Sequence, residues 1–114
     1  MTPPVLYVAG PMGAPNVLAG NVARAVAVAD LLLDMGAAVI LPHLFAYLPD
    51  RPYEQWMRVD LALLARCDAV VRLPGESPGA DREVARAGEL GLLVLHGLAA
   101  VEEWMKQRNI TEAA

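Results

Sequence analysis

The 114-residue chain is long enough for one hydrophobic core and too short for two, so we expect a single domain over residues 1–114. Hydrophobic residues make up 56% of the chain and charged residues 19%, an apolar balance which indicates that another subunit covers part of the surface. The net charge of −4 argues against a nucleic-acid polymer as partner, because binding its phosphates requires a basic face. The single cysteine, Cys67, excludes an intrachain disulfide and a cysteine-rich metal site.

The sequence also gives no sign of a membrane or metal partner. No apolar run reaches the ~18 residues of a membrane span, and no basic segment precedes a hydrophobic stretch at the N-terminus. His43 and His96 are too isolated to form a metal site, and no cofactor is predicted. We therefore expect a soluble cytoplasmic protein.

Short apolar runs alternate with longer amphipathic patterns along the chain. Strands are predicted over residues 5–9, 37–41, 69–73 and 92–95. Helices are predicted over residues 18–35, 53–66, 80–91 and 98–108, with loops over residues 10–16 and 45–52. This alternation is typical of right-handed βαβ crossovers, and it predicts an α/β fold with a doubly wound parallel sheet and helices on both faces.

The loop after the first predicted strand contains Gly10-Pro11-Met12-Gly13. It lacks the third glycine of the dinucleotide-binding fingerprint and the Lys-Ser/Thr pair of a P-loop, and prolines remove backbone N–H donors. We interpret it as a loop that brings backbone close to a small ligand.

The helix predicted over residues 53–66 carries a carboxylate among apolar side chains. At ~100° per residue Asp60 falls in the middle of an apolar arc that includes Trp56, Met57 and Leu64, while polar residues take the opposite side. An ionised buried Asp without partners costs several kcal/mol. Asp60 is therefore either held by a salt bridge or a capping contact, or it is a functional acid with a raised pKa.

A second carboxylate follows a predicted helix start at residues 77–83. Ser77 suits the N-cap and Pro78 the first helical position. Glu83 then lies on the packed face of the helix, near the carboxyl end of a strand, where open α/β sheets bind ligands. The alternative is that Glu83 only complements the helix dipole or pairs with Arg86.

Tyr7 and two histidines lie near the same expected crevice. The hydroxyl of Tyr7, in the first strand, needs a partner. Because the first and third strands are neighbours in the usual doubly wound order, Tyr7, Asp60 and Glu83 could converge. His43 and His96 each follow a predicted strand, and each is more typical of a loop or core histidine than of a catalyst.

Together these residues resemble the nucleoside 2-deoxyribosyltransferase superfamily, which includes 2'-deoxynucleoside 5'-phosphate N-hydrolases and short uncharacterised relatives. The matching segments are Tyr7-Val8-Ala9-Gly10-Pro11, Asp60-Leu61, Cys67-Asp68-Ala69-Val70-Val71, and Ser77-x-Gly79-x-x-x-Glu83-x-x-x-Ala87-x-x-Leu90-Gly91 with Val94. They cover residues 5–94, and their order and spacing together are fairly specific. The resemblance implies a flavodoxin-like sheet of four to five strands and cleavage of an N-glycosidic bond.

The resemblance further implies roles for single residues. Glu83 would attack the anomeric carbon, Tyr7 would orient that carboxylate, and Asp60 would act at the base as acid or positioning group. Ser77 would hold a 5'-phosphate. Further substrate contacts are expected from Gly10, Pro11, Met12, His43 and Gly79. These roles are chemically coherent, because departure of the base needs a nucleophile on one side and a proton on the other.

Transferases of this superfamily usually carry an aromatic residue after Gly-Pro, where this chain has Met12-Gly13, and they are longer. Hydrolysis of a nucleoside or nucleoside 5'-monophosphate is therefore favoured over transfer between bases. A homo-oligomer is expected, since members of the superfamily share sites between subunits. The alternative is a non-catalytic nucleotide-binding or sensing module, because fold does not fix function. The presence of Tyr7, Asp60 and Glu83 together favours the enzyme.

Overall fold

The computed structural model describes residues 2–113. Its strands are β1 (Val5–Ala9), β2 (Ala38–Ile40), β3 (Ala69–Arg72) and β4 (Leu93–His96). Its helices are α1 (Pro15–Asp34), α2 (Tyr53–Leu64), α3 (Pro78–Glu89) and α4 (Leu98–Ala113), with a 3₁₀ helix over Pro42–Tyr47. The four strands form one parallel sheet in the order β2-β1-β3-β4. The predicted α/β class and flavodoxin-like winding are confirmed.

Strand β1 is central, and the direction of winding reverses beside it. Tyr7 of β1 lies opposite Ile40 of β2 on one side and opposite Val70 of β3 on the other. The predicted adjacency of the first and third strands is therefore correct. The reversal places a topological switch point between the carboxyl ends of β1 and β3, which is where open α/β sheets form a ligand crevice.

Alternation of side chains along the strands divides the interior into two clusters, one on each face of the sheet. Leu6 and Val8 of β1 belong to a cluster with residues of α1 and α4, which we call the α1/α4 face. Tyr7 and Ala9 belong to a cluster with residues of α2 and α3, which we call the α2/α3 face. Cys67 is buried in the second cluster, as predicted for a small core residue.

Two element boundaries differ from the sequence prediction by three residues or more, and one predicted loop also differs. Helix α1 begins at Pro15 rather than at residue 18, because proline is preorganised for the first helical turn. Helix α4 continues to Ala113, beyond the predicted end at residue 108. The predicted loop over residues 45–52 begins inside the 3₁₀ helix Pro42–Tyr47.

Helix α1 is long and apolar enough, by length and composition, to cross a membrane, which the sequence analysis did not recognise. Its buried residues are Val22, Ala25, Ala29 and Leu32, and Leu32 packs with the strand residues of the α1/α4 face. Other apolar side chains of the same helix face outward, among them Leu33, which is 56% exposed. The apolar excess of the sequence therefore appears partly on the surface of α1.

Candidate active site

A cavity of about 670 Å³ opens at the carboxyl edge of the sheet, between the loop after β1, the 3₁₀ helix, α2 and the start of α3. Of the predicted site residues, those that line it are Gly10, Met12, Asp60, Ser77, Gly79 and Glu83. Tyr7, Pro11 and His43 are absent from its lining. The structure thus brings both predicted carboxylates to one cavity.

Helix α3 directs Glu83 toward the sheet, because Ala80 and Ala87 on the same face are buried against β1 and β3. Glu83 is only 7% exposed. The hydroxyl of Tyr7, which is fully buried in β1, donates a hydrogen bond to Oε2 of Glu83. Tyr7 therefore reaches the site through Glu83 rather than by facing the cavity itself.

Burial sets the protonation behaviour of this pair. It raises the pKa of Tyr7 far above the ordinary value, and the negative charge of Glu83 adds to the effect, so Tyr7 remains a donor. Burial also raises the pKa of Glu83 to about 7, although the Tyr7 hydrogen bond and the nearby Arg72 oppose the shift. The Tyr7 hydrogen bond favours the ionised form of Glu83, but loss of hydration outweighs it.

Asp60 projects from α2 into the same cavity and is half-buried. Its Oδ1 atom is buried without a hydrogen-bond partner, and Asp60 forms no ion pair among the described residues. Burial raises the pKa of Asp60 to about 6. Of the two alternatives that the sequence left open, the structure therefore shows a carboxyl that lines a cavity and not a buried salt bridge.

The start of α3 is capped as predicted, and the cap uses most of its hydrogen-bond donors. Oγ of Ser77 accepts a hydrogen bond from the Ala80 N–H at 3.1 Å, and the Ser77 carbonyl accepts one from the Asp81 N–H at 2.9 Å. Pro78 has no N–H to offer. The Gly79 N–H and the Ser77 hydroxyl proton remain for a ligand.

Contacts within the protein account for the first loop. A Cβ atom on Gly10 would lie 2.8 Å from Cβ of Leu73, so glycine is required where the ends of β1 and β3 approach each other. Nδ2 of Asn21, in α1, donates to the carbonyl of Met12 at 3.0 Å and holds the loop against the helix. The sequence analysis did not identify Asn21.

Aromatic side chains form another wall of the cavity. The rings of Phe45 and Trp56 stack with their centroids 5.3 Å apart and an interplanar angle of 13°, and Tyr53 lies beside them in the lining. No local signal singles out Phe45, because residues 45–52 contain two prolines and are predicted to form a loop. The aromatic surface that is absent after Gly10-Pro11 is thus supplied by the 3₁₀ helix and α2.

The two histidines lie outside the cavity lining. His43 is 2% exposed, and burial lowers the pKa of His43 although the backbone of Pro11 and Gly10 offsets part of the shift. It is a neutral core histidine that packs behind the site. His96 is the exposed last residue of β4 and lines a smaller second cavity together with Arg72.

The charges of the cavity are of one sign. Its lining contains Asp50, Asp60 and Glu83 and, among the described residues, no Lys, Arg or His. Cationic side chains lie at the rim instead. The Arg82 guanidinium bonds both carboxylate oxygens of Glu54 at 2.7 and 3.3 Å, which joins α3 to α2. Among the described residues, no cluster of three or more His, Cys, Asp or Glu could hold a metal ion.

Comparison with known proteins gives a family and a fold. Residues 4–96 match the family described as a domain of unknown function (DUF4406), and the chain belongs to this family. A 2-deoxyribosyltransferase from Bacillus psychrosaccharolyticus is 19% identical, with a TM-score of 0.64 over 81% of this chain and 70% of that protein. A 2-deoxyribosyltransferase from Leishmania mexicana is 20% identical, with a TM-score of 0.63 over 82% of this chain and 63% of that one. No curated protein matches.

These likenesses confirm, at the level of the fold, the resemblance to 2-deoxyribosyltransferases that the motifs predict. The chain spans less than two thirds of the Leishmania protein.

Proposed function

We propose that this DUF4406 protein is an N-glycosidase that cleaves the base–sugar bond of a nucleoside or nucleoside 5'-monophosphate, with deoxyribosyl transfer as a variant. One observation carries the proposal: Glu83, held by the Tyr7 hydroxyl, and Asp60, with an unpartnered oxygen, face one cavity. Pairs of carboxyl groups in one pocket are the usual means of glycosidic bond cleavage. The fold shared with two 2-deoxyribosyltransferases supports a small nucleoside-like substrate.

In the proposed reaction, an oxygen of ionised Glu83 attacks the anomeric carbon as the bond from that carbon to the base nitrogen breaks. The electron pair of this bond goes to the base, and Asp60 supplies a proton to a base that needs one. Water then attacks the glycosyl ester, which releases the sugar and regenerates the Glu83 carboxylate. Tyr7 orients Glu83 throughout, because its raised pKa keeps the hydroxyl protonated.

The remaining lining residues have roles that follow from their chemistry. The stacked Phe45 and Trp56 offer a flat apolar surface to the base. The Ser77 hydroxyl and Gly79 N–H offer hydrogen bonds to the sugar or its 5' substituent, as the capping geometry leaves both available. Gly10 and Met12 form the wall nearest the switch point.

We also propose that the protein is a soluble cytoplasmic homo-oligomer, at least a dimer. The outward apolar side chains of α1, among them Leu31 and Leu33, form a surface that a second copy would cover. Sedimentation equilibrium at micromolar concentration should show a species of at least twice the chain mass, and a pure monomer contradicts this part of the proposal.

Replacing Glu83 by Gln tests the enzyme directly. The substitution keeps the shape and removes the nucleophile, so release of free base from nucleosides, followed by chromatography at pH 8, should fall by roughly 10³-fold or more. Asp60→Asn, assayed near pH 6 where part of Asp60 is protonated, should slow substrates with poor leaving groups more than activated ones, because only the former need a proton.

Glu89→Gln is a matched control, since Glu89 lies on the same helix, pairs with Arg86 and is exposed. It should retain the wild-type rate. If Glu83→Gln also cleaves at the wild-type rate, the covalent mechanism is wrong, and a non-catalytic nucleotide-binding module becomes the better description of this fold.

A further inference from the structure

We infer that the substrate of this site is an unphosphorylated glycoside whose leaving group is a positively charged aromatic heterocycle, such as a pyridinium or an N-alkylated purine. The inference rests on the proposed function and names the substrate class of the same cavity. The first observation behind it is charge: Asp50, Asp60 and Glu83 line the cavity, and no cationic side chain among the described residues does. Opposite charges attract more strongly in a partly desolvated pocket than in water, so this lining favours a cationic ligand over a neutral or anionic one.

A phosphate group would find little to bind at the start of α3. A helix start often binds anions through its free N–H groups. Here the N–H groups of Ala80 and Asp81 already donate to Ser77, and Pro78 has no N–H, so few donors remain for an anion. The Ser77 hydroxyl and the Gly79 N–H remain there, and both residues line the cavity together with its carboxylates.

The nearest buried cation is also engaged elsewhere. The Arg72 guanidinium donates to the carbonyls of Leu73 and Gly75 and to Oδ1 of Asp81, the last at 3.2 Å. Arg72 lines the second cavity and not this one. Arg72 therefore holds the loop before α3 and does not line the cavity, although its charge acts on Glu83.

The aromatic wall suits a flat cation. The electron-rich faces of Trp and Tyr attract cations that lie within ~6 Å of the ring centroid. Two planar cations of the protein already do so at the rim: the Arg51 guanidinium is 5.9 Å from the Trp56 centroid, and that of Arg82 is 5.6 Å from the Tyr53 centroid. A heteroaromatic cation would take the place of one of these guanidinium groups on its ring and would also gain the adjacent carboxylates.

The chemistry of such a substrate fits the carboxyl pair. When Glu83 attacks the anomeric carbon, the electron pair of the breaking C–N bond neutralises the ring nitrogen, and the heterocycle leaves as a neutral molecule without a proton. Water then hydrolyses the ester, giving the free sugar, the Glu83 carboxylate and a proton. Although burial raises the pKa of Asp60 to about 6 and that of Glu83 to about 7, both carboxyl groups are mostly ionised at pH 8, where a leaving group that needs no proton is favoured.

The test compares three ligands of one shape at pH 8. Nicotinamide riboside carries a pyridinium cation, its dihydro form is neutral, and nicotinamide mononucleotide adds a 5'-phosphate. Binding to the Glu83→Gln variant, which cannot form the ester, is followed by calorimetry. We expect the cationic riboside to bind about tenfold more tightly than the dihydro form, and the mononucleotide to bind about tenfold more weakly than the riboside.

Asp50 supplies a variant outside the proposed reacting pair. Adding Asp50→Asn to Glu83→Gln should reduce the preference for the cationic over the neutral riboside roughly threefold, because one carboxylate is lost from the wall. Glu76→Gln, at an exposed position outside the cavity lining, should leave that preference unchanged.

Two outcomes separate this inference from the proposed function. If the mononucleotide or the dihydro riboside binds as tightly as the cation, while wild-type protein releases bases from neutral nucleosides or their 5'-monophosphates, the inference is wrong and the N-glycosidase stands. If wild-type protein releases no base from any of these glycosides, the proposed function is wrong and the inference falls with it.

Discussion

The two faces of the sheet are built from the same strands and differ in what they bury. On the α1/α4 face, the cluster around Leu6, Leu32 and Val101 is wholly apolar. On the α2/α3 face, the alternate strand residues include Tyr7, which donates a hydrogen bond to Glu83. On the same face, a cavity replaces close packing beside Asp60. A strand of five residues thus contributes to a dry core on one side and to a polar site on the other.

The difference shows where the fold accepts an energetic cost. Burying a carboxyl group is unfavourable unless it is neutral or well bonded. Glu83 has one buried donor, Tyr7, and the buried oxygen of Asp60 has none. Stability is therefore expected to come from the α1/α4 face, and the α2/α3 face to carry a stability cost that depends on pH.

The expected difference between the two faces can be tested by measuring the free energy of unfolding as a function of pH. The folded-state pKa of Glu83 is about 7 against 4.5 for the free group, and that of Asp60 is about 6 against 3.8. Raised values favour the folded state below about pH 4, and that contribution is lost as pH rises through about 6 and 7. Glu83→Gln should remove about half of the dependence and raise the free energy of unfolding at pH 8 by about 1–3 kcal/mol.

Leu32→Ala on the α1/α4 face is the matched control for urea unfolding at pH 5 and pH 8. It truncates a fully buried side chain and should cost about 2–5 kcal/mol at both pH values, since no titrating group of the described site faces Leu32. A wild-type protein whose stability does not change between pH 5 and pH 8 would show that the two faces do not differ in this respect.

A smaller effect sharpens the comparison within the α2/α3 face. Tyr7→Phe removes the hydrogen bond that lowers the pKa of Glu83 while burial continues to raise it. The pKa of Glu83 should therefore rise further, and the acidic limb of the base-release rate should move to higher pH by about one unit, which corresponds to a charge-assisted hydrogen bond of about 1.4 kcal/mol. The measurement is kcat/KM across pH 5 to pH 9.

Loss of rate at every pH, with an unshifted limb, would mean that Tyr7 positions Glu83 without tuning its ionisation. Val8→Ala is the control on the neighbouring strand position, because its side chain belongs to the opposite cluster. It should lower stability and leave the pH profile in place.

Much of this arrangement could be predicted from short-range patterns. The N-cap at Ser77 and the helical spacing place Glu83 on a packed face, and the apolar arc around Asp60 places it toward the interior. Both predictions depend only on periodicity and local capping, which the sequence carries directly. The adjacency of β1 and β3 followed from the usual winding of such sheets.

The features that could not be predicted from the sequence depend on how distant parts of the chain pack together. Whether the pKa of Glu83 rises or falls is decided by burial against one hydrogen bond, and burial is a property of the packed helices. Phe45 reaches the cavity from the 3₁₀ helix over residues 42–47. The prolines at positions 49 and 52 predict a loop and do not indicate this helix. Pro11 was predicted to contact the substrate, yet it packs near Gly75.

The close approach of the ends of β1 and β3 at Gly10 also bears on how sequence motifs in such chains are interpreted. With only 2.8 Å between a Cβ at this position and Cβ of Leu73, a larger residue is excluded by the neighbouring strand, whatever the crevice holds. A glycine here is therefore evidence of strand geometry and carries no information about a bound phosphate. A motif search that scores it as a nucleotide signature counts a requirement of the scaffold as a property of the ligand.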